Sequence, residues 1–339
     1  MRLSIIIPLY NVEDYLTHCI ESLLNQNLLI DDYEILIIDD GSTDNSLKIA
    51  KSIASSSKNI KVYSKENGGV GSARNKGLDL AIGEYIYFID PDDYLASNVL
   101  KSILENAEKS KLDVLTFVSL GTEKFNLSKS FTHPKQQFVV EKKSGIDFIG
   151  DFCFKNEVWW YIVKRAFVKK INLRFIEGRW MEDAIFTANL LTKTKKIGHL
   201  PLDAHRHVKV KGSAMTSREP SHYLKVIHDN ANAAYVYSGI IEFVEVNHAS
   251  KMDSIRRLKS RQQSFVFFLM VRMLKSTIKL KEAKDIISGM EKIKAYPLKA
   301  FLGKDYGGLF YTILVRLFNI KNIYFLLFLI ANPILKLKK

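Results

Sequence analysis

Over the first hundred positions, apolar residues fall in short unbroken runs, and each run stops at a cluster of turn-forming or acidic residues. Residues 3–8, 33–38, 60–63 and 85–89 read as buried strands, being rich in β-branched and aromatic side chains and too short for core helices. Between them Tyr15, Leu16, Cys19, Ile20, Leu23 and Leu24 recur at helical spacing, a second helix covers about 45–53, and a short one passes through Ala73, Leu78 and Ala81. Strands alternating with helices predict a parallel α/β sheet covered on both faces. Ligands of such sheets bind beyond the carboxyl ends of the strands. Three polar segments, 8–11, 39–44 and 90–93, project from those ends and should converge on one crevice.

The pattern continues with a helix over 97–109 and a strand over 114–118, then breaks. Residues 120–140, with Gly121, Pro134 and alternating apolar positions, read as an insertion or hairpin near an acceptor side. A helix follows over 144–154, then an apolar stretch over 158–165 in which Trp159 and Trp160 are large anchors, for core packing or as a stacking platform for a ligand. Glu182 and Asp183 directly precede an apolar helix over 184–191, where acids can serve as N-terminal caps favoured by the helix dipole. From Ser221 onward the reading is all helical, over about 223–246, 252–277 and 281–293. The apolar stripe of the second of these, Phe265 to Met273, suits core packing.

The last segment differs in kind. Residues 309–315 and 323–330 are strongly apolar, but Arg316 and Lys321 interrupt them and Lys336, Lys338 and Lys339 follow. The charge-free run 322–335 is 14 residues long, short of the roughly 20 needed to span a bilayer. An in-plane amphipathic anchor with basic flanks fits better than a spanning helix, with a hydrophobic dimer interface as the competing reading. The organisation expected is therefore an α/β domain over 1–215, a helical appendage over 216–305 and a membrane-associating tail over 306–339.

Charge sharpens that picture. The 339 residues carry 50 Lys and Arg against 36 Asp and Glu, a net charge of +14, and nine basic residues against one acid lie from Lys292 onward. A basic, apolar tail points to an anionic membrane surface. Charge alone leaves nucleic acid open, but no recognition helix, zinc finger or aromatic platform supports it, and no nucleic-acid partner is expected. Two cysteines, Cys19 and Cys153, allow no disulfide framework or zinc spacing, which favours a reducing, cytoplasmic setting.

The candidate chemistry centres on Asp90, Asp92 and Asp93, which crowd the end of a core strand around Pro91. Crowded carboxylates repel unless a cation sits among them, and oxygen donors suit Mg²⁺ or Mn²⁺. An acidic turn capping the next helix is the structural alternative. Arg74, after a glycine-rich loop, has donors to offer a phosphate or a base edge.

In order, Ser4 to Asn11 (SIIIPLYN), Ile37 to Asp44 (IIDDGSTD), Asn67-Gly68-Gly69 with Ala73-Arg74-Asn75, and Asp90-Pro91-Asp92-Asp93 resemble the successive motifs of the family 2 glycosyltransferases, over about the first 210 residues. The resemblance implies the GT-A fold, an α/β nucleotide-binding sandwich with a mixed, mostly parallel sheet, here followed by a helical appendage. It implies that Pro8, Tyr10, Asn11, Asp39, Asp40, Gly69, Arg74 and Asp90 bind a nucleotide-sugar, with Tyr10 near the base and Asp39 or Asp40 hydrogen-bonding it. Asp90 and Asp92 form the D-x-D element, with Asp92 the metal ligand and Asp93 and His207 in support; Asp183 is the catalytic base and Glu182 its helper. Residues 205–216 resemble the family's closing strand and basic loop, where Arg206 or Lys211 would clamp the diphosphate. The implied reaction is inverting, metal-dependent, single transfer from a UDP-type donor to a hydroxyl, on a lipid-linked glycan acceptor at the inner membrane face, with a homodimer through the C-terminal region conceivable. Nucleotidyl transfer and a catalytically silent sugar-nucleotide module are the alternatives. The first would need a basic glycine-rich loop after the first strand, and 8–11 has none.

Overall fold

The computed structural model describes residues 1–133, 136–210, 219–303 and 305–337. They form two compact units, one of residues 1–145 and 155–211 and one of residues 146–154 and 212–339.

The first unit is built on one eight-stranded sheet. Its parallel half comprises β1 Leu3–Leu9, β2 Tyr33–Asp39, β3 Ile60–Ser64 and β4 Tyr85–Phe88, in the spatial order β3-β2-β1-β4. All seven residues of β1 and of β2 are buried, as expected where helices cover both faces. On one face Leu3, Ile5 and Ile7 pack with Leu16, Cys19 and Ile20 of α1 (Leu16–Leu24) and with Leu100, Ile103 and Leu104 of α4 (Leu100–Lys109). α2 (Ser46–Ala54) and α3 (Val70–Leu80) complete the crossovers. α4 begins at Leu100 rather than at Ser97 because residues 97–99 are spent on a turn in which Asn98 has φ +62°.

The other half is mixed. Here β5 (Tyr94–Leu95), β6 (Val114–Thr122), β7 (Tyr161–Lys164) and β8 (Ile197–Val208) follow in the order β4-β7-β6-β8-β5. β7 runs antiparallel to β4 and β6, β6 and β8 run parallel, and β5 is antiparallel to β8. Of the two readings of 120–140, insertion or hairpin, the described residues form no hairpin and agree with the insertion. β6 continues to Thr122, and the described residues beyond are irregular chain tied down locally, with Tyr94 donating its hydroxyl to Lys124 O at 2.7 Å. Pro134 lies outside the described residues. α6 (Arg165–Lys170), which the sequence did not suggest, follows β7 directly. α7 (Glu182–Lys193) packs through a ring cluster in which Phe175 stacks on Phe186 at 4.0 Å and Phe88 meets Phe175 edge-on at 5.2 Å, contacts worth about 0.5–1.5 kcal/mol each beyond area burial.

The second unit is helical: most of α5 (Gly145–Asp151), α8 (Pro220–Asn247), α9 (Met252–Lys275), α10 (Leu280–Lys292), α11 (Leu309–Asn319) and α12 (Lys321–Leu337). The stripe Phe265, Phe267, Leu269, Met270 and Met273 is core, with Phe267 stacked on Phe301 at 4.5 Å. α12 docks on α9 through polar contacts. Tyr324 gives its hydroxyl to Met270 O at 3.1 Å, and Asn332 donates to Met273 O and Ser276 O at 3.0 and 2.9 Å. The opposite side of the tail is an open apolar face of Leu309, Phe310, Ile313, Leu326, Leu329 and Ile330. No single described helix is long and apolar enough to cross a membrane; α11 and α12 pass that test only as a pair bent by 103°.

Candidate functional site

The carboxyl ends of β1, β2 and β4 bring the three polar segments to one edge of the sheet, as parallel register requires: Leu9 pairs with Asp39, and Ile6 with Phe88. Pro8 lies within the buried run, which ends at Leu9, and Tyr10 just beyond is 49% exposed, so its ring is no core residue. Asn11, at φ +50°, joins the first two segments by accepting from Thr43 N at 2.8 Å.

The adjacent acids of β2 divide their work. Asp40 is saturated, accepting from Lys65 Nζ at 2.7 Å, Gly68 N at 3.0 Å and Gly69 N at 2.7 Å. Asp39 accepts only Ser42 N at 3.1 Å and Ser64 Oγ at 2.7 Å, one donor per oxygen, and keeps lone pairs for a ligand. Gly69 holds φ +86° at the start of α3, a conformation that favours glycine, and its amide is spent on Asp40.

Arg74, buried on α3, is the junction of the site. Its Nη2 donates to Asp90 Oδ1 and its Nη1 to Glu182 Oε1, each at 2.7 Å, while Nε has no partner. The sequence offered those donors to a phosphate or a base; here both terminal nitrogens hold carboxylates. Burial works against its charge, but Asp90, Glu182 and Asp183 outweigh burial and keep the guanidinium protonated. Asn75, the next residue, clamps the chain leading into α7, accepting from Phe175 N at 2.9 Å and donating to Phe175 O at 3.0 Å and Glu177 at 2.8 Å. Gly71 permits the approach, since a Cβ there would lie 2.5 Å from Ile176 O.

Asp92 is the crowded carboxyl of the acidic turn. Burial, and then the charges of Asp90 and Asp93, push its pKa up to about 7. Asp93 is fully buried and engaged with the end of β8. It accepts Val208 N at 2.8 Å and meets His207 Nδ1 at 3.2 Å; His205 Nε2 is also 3.2 Å away, near enough for ion pairing but not aligned as a hydrogen bond. Burial opposes ionisation of Asp93, yet the two histidines prevail and hold its carboxyl low, while the bond to Asp93 raises His207. Trp159 stacks along both imidazoles, at 4.6 Å from His205 and 5.1 Å from His207, and so is committed to packing.

A divalent cation fits this donor set in part. Asp92 lacks a compensating charge, Asp90 and the half-exposed His207 add ligating atoms nearby, and Asp93 is already taken by the histidines. Among the described residues no three ligating side chains converge, so the remaining positions would fall to water or phosphate oxygens, as hard cations such as Mg²⁺ commonly allow.

At the start of α7, Met181 takes φ +67° and delivers Glu182 and Asp183 into the first helical turn. Burial raises the pKa of both; for Asp183 the charges of Glu182 and Glu157 add to it, well beyond the usual carboxylate range. Arg206 corrects an expectation. Fully buried, it spends all five N–H donors on Asp203, at 2.6 and 2.8 Å, and on the carbonyls of Leu127, Lys129 and His205, leaving none for a diphosphate. Lys211 lies outside the described residues. Sequence reasoning gave no role to Asn75, Lys65, Glu157 or His205. The one available signal was His205 and His207 at i and i+2, on one side of a strand.

The sequence model described as Glycosyl transferase family 2 matches residues 4–170. The uncharacterized glycosyltransferase EpsJ of Bacillus subtilis is 34% identical over 201 residues, 57% of this chain and 57% of that protein. The poly(ribitol-phosphate) beta-glucosyltransferase of Bacillus spizizenii is 29% identical over 76% of this chain and 39% of its own length. The chain thus spans just over half of the first relative and well under half of the second. Among solved structures, S. aureus TarS 1-349 in complex with UDP-GlcNAc shares the fold with a TM-score of 0.69 at 23% identity, covering 96% of this chain and 90% of that one. Family model, relatives and shared fold agree with the loop motifs, and residues 4–170, just under half of the chain, match the family 2 glycosyltransferases.

Proposed function

We propose that this protein transfers a sugar, with inversion, from a UDP-type nucleotide-sugar to a hydroxyl of a lipid-linked glycan acceptor in cell-surface polymer assembly. The reading rests on one observation: Arg74 joins Asp90 to Glu182 through two 2.7 Å bonds, so that the acidic turn after β4 and the acidic first turn of α7 belong to one charged network. A relative named as a poly(ribitol-phosphate) beta-glucosyltransferase, another named for minor teichoic acid biosynthesis, and the UDP-GlcNAc carried by TarS support the donor and product classes.

In this reading Tyr10 stacks on the base and Asp39, with lone pairs left over, accepts its N3–H. Asp92, with Asp90 and His207, holds Mg²⁺ or Mn²⁺ beside the diphosphate. The cation, when bound, neutralises charge on the departing nucleotide. Asp183, held ionised by Arg74 and the Ala184 amide, takes the acceptor proton, and burial strengthens its hold on that proton. Glu182 is neutralised by Arg74 and keeps α7 in place. Attack from the face opposite the leaving group needs no covalent intermediate.

The test is a panel of UDP-, GDP- and dTDP-sugars with released nucleotide as readout. Asp183→Asn should bind nucleotide normally and lose transfer by about 10²–10⁴-fold, and Asp92→Ala should lose metal-dependent binding. Equal turnover by Asp183→Asn and the parent protein removes the base assignment. The open apolar face of α11 and α12 supports peripheral placement at the inner face of the membrane. Paired Leu329→Asp and Ile330→Asp substitutions should abolish sedimentation with anionic vesicles; unchanged sedimentation rejects the anchor.

A further inference from the structure

We propose that the helical unit carries an oxyanion site, sized for a phosphate group, on the polar side of α9. Asp253, Arg256, Arg257 and Ser260 follow one another at helical spacing and, with Gly150 and residues of the 300–305 segment, line a cavity of about 200 Å³. Arg257 is only 7% exposed, yet among the described residues its Nη1 has no hydrogen-bond partner. One turn on, Arg261 is also buried. It gives Nη2 to Phe154 O at 2.9 Å and Nη1 to the Tyr306 hydroxyl at 3.4 Å, but its Nε is unpartnered and the Asp305 carboxylate stands 3.7 Å off. Asp305 Oδ1 is unpartnered as well, and Asp253 is already taken by Arg256 at 2.7 Å.

Among the described residues, three guanidinium groups therefore face two carboxylates, and the surplus charge belongs to Arg257, the member with no described partner. A buried, unmatched charge is far more costly than a matched one. A phosphate-type oxyanion supplies both missing elements, the negative charge and oxygens spaced for a guanidinium fork. Its source is either free phosphate or a phosphodiester-linked polymer; the site does not depend on the transfer reading and is tested by binding alone.

The experiment is thermal unfolding and calorimetry of the full chain with inorganic phosphate, with chloride at matched ionic strength as control. The expected result is saturable binding that raises Tm on the order of 5 °C at about a hundredfold excess over Kd. Arg257→Met should abolish the rise and lose no stability in phosphate-free buffer, because it removes an unmatched buried charge. Arg256→Gln, on an exposed neighbour that folds safely, should weaken phosphate binding several-fold. An equal rise in the parent protein and both variants, or an equal rise in chloride, overturns the proposal. So does the absence of any rise in the parent protein, which marks a cavity filled by water alone. A glycerol-phosphate oligomer in the same titration separates the sources: binding tighter than inorganic phosphate assigns the site to a phosphodiester polymer, and equal or weaker binding assigns it to free phosphate.

Discussion

Arg74 and Arg257 are both more than nine-tenths buried, one in each unit, and their surroundings differ. Arg74 sits between two carboxylates at 2.7 Å, which join α3 to α7 and to the turn after β4. Arg257 faces a cavity with its Nη1 unpartnered and Asp305 turned toward Arg261. A buried guanidinium can thus hold a fold together or stand ready for something that arrives later. The difference lies in whether its counter-charges belong to the chain.

The sharpest way to break that contrast is to replace both by methionine. Arg74→Met leaves two carboxylates facing each other without compensation and should cost about 3–5 kcal/mol in chemical denaturation, whereas Arg257→Met should be neutral or stabilising. Similar losses in both would end the distinction. Next in size is the pH response of Asp92. Its pKa near 7 means that a proton competes with the cation, so Mn²⁺ affinity should fall about tenfold per unit as pH drops below about 7. The same raised pKa means that the folded, metal-free protein holds this proton more tightly than the unfolded chain does. The associated stability is fully present below about 4 and is lost as pH rises through about 7, and excess Mn²⁺ should flatten that decline. A metal affinity independent of pH between 5 and 7 would remove Asp92 from the cation site. The smallest expected effect is Lys321→Ala, which breaks the Glu291 pair. Its 2.7 Å separation equals those of Arg74, but both partners are exposed, and the loss should stay under about 1 kcal/mol. A larger loss would show that distance rather than burial sets the scale.

The parallel half of the sheet was legible because β1, β2 and β4 are buried throughout and end at turn residues, while the edge strand β3, buried only at Ile60, is marked by its place between two helical stretches. The mixed half was not. β7 pairs with β4 and β6 across long stretches of chain, and nothing in residues 158–165 announces antiparallel neighbours. The same limit applies at the site. The sequence pointed to Asp90, Asp92 and Asp93 together, but Asp93 is separated from the others by two histidines more than a hundred residues away. Glu182 next to Asp183 reads as a simple helix cap until Arg74, from another crossover, is found against it. Arg206 was misread because charge alone cannot tell a solvated clamp from a guanidinium whose every donor is satisfied inside.

The double grip of Arg74 also has a consequence for how such an enzyme diversifies. One rigid cation fixes the spacing between the acidic turn and the first turn of α7, so neither can drift to suit a larger or smaller sugar without dragging the other along. On the proposed reading, a change of donor or acceptor must then be absorbed by chain outside this brace, while the two acidic turns keep their spacing.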